Sequence, residues 1–182
     1  MIELERISDE IFVAKKSIVS LGDEEATFLK AQAMRSPRCR ARICAHKSNG
    51  DLLHEMLIAI SSQSYIHPHK HIAKSESFHI VEGSVDVIIF DDAGNITNII
   101  KLGAPGSGRS YFYRLSEARF HTMIIHSNIL VVHEVTNGPF DKEQTILAPF
   151  APPERDKSAA RDYIKYLSGE VAKFERNRNN EK

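Results

Sequence analysis

The chain has 182 residues, 42% of them hydrophobic and 26% charged, with 24 Lys+Arg set against 24 Asp+Glu. That is the size and make-up of a globular protein of about one domain plus an appendage, with no global field to recruit nucleic acid or an anionic membrane. The start MIELERISDE lacks the basic segment and apolar core of a secretion signal, no apolar run approaches the ~20 residues that span a bilayer, and two cysteines, Cys39 and Cys44, are too few for a disulfide scaffold; the expectation is a reduced, cytoplasmic protein.

Residues 1–20 mix short apolar groups such as Ile11-Phe12-Val13 with charge and leave room for one strand. Asp23 can cap a helix beginning with Glu24 and Glu25, in which Ala26, Leu29 and Ala33 recur at helical spacing and which Pro37 ends. The segment RCRARI then alternates strictly, placing Arg38, Arg40 and Arg42 on one strand face and Cys39, Ala41 and Ile43 on the other. Asn49-Gly50-Asp51 signals a turn, and its flanks favour a strand for the apolar run 52–60. Past a histidine-rich stretch at 65–83, residues 84–90 form a β-branched strand, DDAGN at 91–95 a hairpin loop and 96–102 the returning strand. GAPGSG at 103–108 lacks the Lys-Ser/Thr of a phosphate-binding loop and opens no helix, which excludes that reading. Strands over 111–115, 121–126 and 129–136 complete a mainly β pattern of an antiparallel sandwich or barrel. APFAPP at 148–153 is a stiff link. Ala160, Tyr163, Ile164 and Leu167 form a helical face expected to pack on the barrel or on a second subunit, and RNRNNEK closes the chain as a solvated tail.

The most informative stretch is YIHPHKHIAKSESFHIVEG. On an extended strand His67, His69 and His71 share one face, and Glu76 follows far enough on to return from a turn on an adjacent strand. Imidazole nitrogens and a carboxylate converging on one point are what a divalent transition metal requires. His79 alternates with Phe78 and Ile80 and points away from the Glu76 side. The two cysteines read as small buried apolar residues.

The order HxH, four residues, Glu, six residues, Gly resembles the first motif of the cupin superfamily, with His69, His71, Glu76 and Gly83 in register. The second motif matches at His121. The Pro-x-Gly turn usual before it is replaced by Ser116-Glu117-Ala118-Arg119-Phe120, and Ile125 stands where its final Asn would fall, with Asn128 three residues later. More narrowly, SPRCRAR, the histidine stretch, FDDAGNI, EVTNGPF and APFAP resemble the WbuC family of cupin-fold metalloproteins over roughly residues 36–153. The resemblance implies a cupin jelly-roll β-barrel over 36–150, preceded by a strand and helix extension over 1–35 and followed by a Pro-rich link, a C-terminal helix and a tail over 151–182. It implies one divalent transition metal (iron, manganese, zinc, nickel or cobalt) held by His69, His71, Glu76 and His121, and a place in bacterial surface-polysaccharide (O-antigen) biosynthesis.

His67, on the ligand face but out of motif register, is then the expected catalytic base. Arg38, Arg40 and Arg42 are either a solvated edge or an anion grip, and Tyr65, Tyr111, Tyr113 and Arg114 could add the stacking and hydrogen bonds of a sugar site. The expected activity is isomerase- or epimerase-like, on an anionic sugar. An iron-dependent dioxygenase and a non-catalytic sugar-binding module remain open. No nucleic-acid or membrane partner is expected, and edge strands in need of cover suggest a homodimer.

Overall fold

The computed structural model describes residues 1–180. In chain order it contains β1 (Leu4–Arg6), β2 (Ile11–Ala14), α1 (Asp23–Arg35), β3 (Arg40–Cys44), β4 (Leu53–Ser61), β5 (His69–His71), β6 (Glu76–Glu82), β7 (Ser84–Phe90), β8 (Ile96–Gly103), β9 (Phe112–Leu115), β10 (Phe120–Ile125), β11 (Ile129–Asn137), β12 (Thr145–Leu147) and α2 (Lys157–Asn180). The strands form two sheets, β1-β2-β3-β4-β11-β6-β9 and β12-β5-β10-β7-β8. Their inner faces meet in a core that includes Ile58, Ile60, Phe78, Ile80, Val85, Val87, Leu130 and Val132. The expected mainly β jelly roll with two helices is present. Alternation drives it: every second side chain of β4, β6, β7 and β11 is turned inward, and burying each large one contributes about 1.5–3 kcal/mol.

The first 35 residues hold two strands where one was expected. β1 pairs antiparallel with β2, and β2 runs parallel to β3, with Ile11 opposite Arg42. Helix α1 lies on the outer face of the seven-stranded sheet, where Ala26, Leu29 and Ala33 meet Phe12, Ile43, Leu57 and Val131. Its N-cap is Gly22, not Asp23. The Glu25 carboxylate accepts hydrogen bonds from the backbone N–H groups of Gly22 and Ile2, 2.9 Å each, which hold its pKa below the ordinary value.

Gly83 joins β6 to β7 at φ +90°, and a Cβ there would stand 2.6 Å from the Ile129 carbonyl oxygen and against Ser127 Oγ. Only glycine fits that turn. Helix α2 packs Leu167 and Val171 onto the outer face of the five-stranded sheet, against Ile88, Phe90, Phe120 and Ile124 of the same chain. It runs to Asn180, so 176–180, expected as a tail, are helical, while Glu181 and Lys182 lie outside the described residues. Among the described residues no helix is long and apolar enough to cross a membrane.

Candidate metal centre

The inner face of the five-stranded sheet presents His69 and His71 from β5 and His121 from β10, with His69 directly opposite His121 in the ladder. The seven-stranded sheet contributes Glu76, the first residue of β6. One ligand atom from each of the four lies within 4.8 Å of all the others.

Each imidazole is oriented through its Nδ1. That of His69 donates to the His67 carbonyl at 2.8 Å and that of His121 to the Arg119 carbonyl at 2.9 Å, while that of His71 is 3.1 Å from Thr145 Oγ1. A carbonyl can only accept, so Nδ1 carries the proton in His69 and His121 and Nε2 is left with its lone pair. These are the outer contacts that ready a histidine for metal. Glu76 Oε1 is 3.0 Å from His121 Nε2, and Glu76 Oε2 is 3.5 Å from His71 Nε2. Yet Glu76 Oε1 and His121 Nε2 are both buried and make no hydrogen bond, because their approach lacks hydrogen-bond geometry. Buried polar atoms seldom stay unpartnered. Three imidazole nitrogens and a carboxylate oxygen fit a divalent transition ion, which would satisfy both.

In the metal-free site Glu76 and His121 shift each other's titration. Burial, with the neighbouring His121, lowers the pKa of His69 to about 4. Burial alone would raise Glu76, but the positive charge of protonated His121 beside it outweighs this and holds the carboxyl well below the usual range. Burial likewise works to lower His121, and Glu76 overcomes it, so its pKa is raised.

The other expected site residues scatter. His67 lies outside the ligand face: β5 begins only at His69, beyond Pro68, so strict alternation does not reach back to it. Its Nε2 is 3.0 Å from the Ala148 carbonyl oxygen and its ring packs beside Tyr65. Arg38 precedes β3, and Cys39 at φ +54° breaks the alternation there. Arg38 and Arg40 both fork onto Glu154, at 2.8 and 3.1 Å, so the chain's own carboxylate occupies the expected anion grip. Tyr65 is buried and donates to the Pro152 carbonyl. Tyr111 is exposed, its ring 5.5 Å from that of His79, and Arg114 donates to Ser75 Oγ. Arg42 and Tyr113 do face inward. They stand opposite the core residues Ile58 and Phe78, and Arg42 Nε and the Tyr113 hydroxyl are buried without partners. Sequence reasoning passed over two neighbours of this site, Thr145 and Glu134. Glu134 alternates with Leu130 and Val132 on β11, and that alternation was its available signal.

Residues 22–102 match a family model described as a domain of unknown function (DUF6016). No curated protein matches the sequence. Among solved structures the chain is similar to protein SO0799 from Shewanella oneidensis, with TM-score 0.49 and 14% identity over 59% of this chain and 72% of that one. It is also similar to oxalate decarboxylase from Bacillus subtilis, with TM-score 0.43 and 17% identity over 54% of this chain, which spans about a quarter (24%) of that longer protein. Protein TT1209 from Thermus thermophilus matches with TM-score 0.44 and 16% identity over 56% of this chain and 86% of that one. The fold class rests on the strand order and registers described above.

Proposed function

We propose that this chain is a metal-dependent enzyme that moves a proton on a small, oxygen-rich, anionic substrate, as an isomerase or epimerase does, with His69, His71, Glu76 and His121 as the ligands. One observation carries the reading: buried, unpartnered Glu76 Oε1 and His121 Nε2 face each other in a cluster whose histidines are oriented through Nδ1. A divalent ion there would supply Lewis-acid polarisation of a carbonyl or hydroxyl, and four protein ligands leave positions open on a metal that takes five or six. Arg42, whose Nε is buried without a partner, and the unpartnered Tyr113 hydroxyl face inward and suit a substrate with negative charge and oxygen acceptors. The narrower class, an anionic sugar of bacterial surface-polysaccharide assembly, is supported by the WbuC resemblance of the sequence.

The test is elemental analysis of the freshly purified protein beside a His71→Ala/His121→Ala variant. About one zinc, manganese, nickel or cobalt ion per chain, absent from the variant, is the expected result. Iron with substrate-dependent oxygen uptake would replace proton transfer by dioxygenase chemistry. Metal retained by the variant would overturn the ligand set.

A further inference from the structure

Proton transfer needs a proton carrier, and His67 is held elsewhere by Ala148. The inner face of β11 offers another. Glu134 stands opposite the buried Met56 on β4 and the buried Phe78 on β6. A carboxylate on a core face costs several kcal/mol unless it is compensated. The charged groups that bear on it are Glu76 from β6, Arg42 from β3 and His121 from β10, and among the described residues no hydrogen bond holds it. Thr136, two residues on, is the ladder partner of Glu76, so Glu134 is the diagonal neighbour of that ligand, roughly 7–8 Å away between backbones. Glu134 is not among the four residues whose ligand atoms converge, so it stands beside the ligand set and is not part of it. Tyr113 completes the cross-strand row Glu134–Phe78–Tyr113, its hydroxyl buried and unpartnered.

We propose that Glu134 is the proton-transfer residue of this centre and that the Tyr113 hydroxyl binds the substrate oxygen on which negative charge develops; this rests on the metal-dependent reading above. The Glu134 carboxylate takes the proton from the carbon next to a substrate carbonyl. The C–H pair becomes a C=C bond, the carbonyl π pair moves onto oxygen, and Tyr113 donates a hydrogen bond to that oxygen. Glu134 then returns its proton to the former carbonyl carbon while the neighbouring hydroxyl proton passes to the first oxygen, giving the isomer with no external oxidant or reductant. Burial and then the negative charge of Glu76 raise the Glu134 carboxyl, against the pull of Arg42 and His121.

The test uses the full chain loaded with Co(II), read by its visible absorption, and azide as the probe of the open position. Wild type and Glu134→Gln bind Co(II) alike. Azide affinities of wild type and variants are compared at one pH, because hydroxide competes with azide for the ion as pH rises. Glu134→Gln, a permanent donor, binds azide at least as tightly as wild type, and Glu134→Leu, which offers no donor, binds it about tenfold more weakly than Glu134→Gln. The assignment is overturned if Glu134→Leu binds azide as tightly as Glu134→Gln, if Glu134→Gln binds it more weakly than wild type, or if Glu134→Gln loses Co(II). Retention of Co(II) by His121→Ala would instead overturn the metal-dependent reading itself.

Discussion

Of the three oxygens beside the histidine Nδ1 atoms, only Thr145 Oγ1 belongs to a side chain. Thr145→Val therefore removes the orientation of His71 while leaving every ligand in place. Metal affinity falls about tenfold, measured by calorimetric titration, and the thermal midpoint of the metal-free protein is unchanged. The Glu76–His121 pair sets a pH window for the metal-free fold. The folded pKa of Glu76 lies below its ordinary 4.5, so its contribution is complete above 4.5 and is lost as pH falls toward the folded value. That of His121 lies above 6.5, so its contribution is complete below 6.5 and is lost as pH rises through the folded value. Urea midpoints of the metal-free protein are thus highest between these limits, and His121→Ala flattens the alkaline side. Metal must meet a neutral imidazole, so its affinity declines by about tenfold per pH unit once His121 is protonated. The four candidate ligands were legible because motif spacing and strand period are local properties of the sequence. Glu134 was not, since Ile129 and Val131 on the opposite face of β11 are apolar as well, packed in the cluster beneath α1. Alternation then separates two faces without saying which one is the interior.

At the scale of elements, Leu167 anchors α2 to the five-stranded sheet at 2% exposure. Leu167→Ala leaves a cavity under the helix and costs about 2–5 kcal/mol in urea unfolding. Gly83→Ala forces a side chain into the Ile129 carbonyl at positive φ and costs more than about 1 kcal/mol in the same assay. The apolar spacing of α2 was readable at Ala160 and Leu167, but its polar last turns carry no periodic apolar signal and so resemble a solvated tail. The parallel pairing of β2 with β3 was equally hidden, because it joins segments on either side of α1 and no short-range pattern encodes it.

Across the whole molecule, Glu154 clasps the segment after β12 to the start of β3 through Arg38 and Arg40, and Tyr65 reaches the same segment at Pro152. The ion pairs are partly exposed, so Glu154→Ala costs only about 1 kcal/mol and less at high salt, as urea unfolding at two ionic strengths will show. No sequence pattern announced the clasp, since its partners are 114 and 116 residues apart. The distribution of the candidate ligands between the two sheets bears on how the protein matures. His69, His71 and Glu76 leave the ribosome together in one short stretch, long before His121. A nascent chain therefore offers an ion three donors at once, drawn from both sheets, before the strand that carries the fourth has been made. Cells starved of metal would then accumulate chains slow to close their barrel, a shortfall in maturation rather than in catalysis.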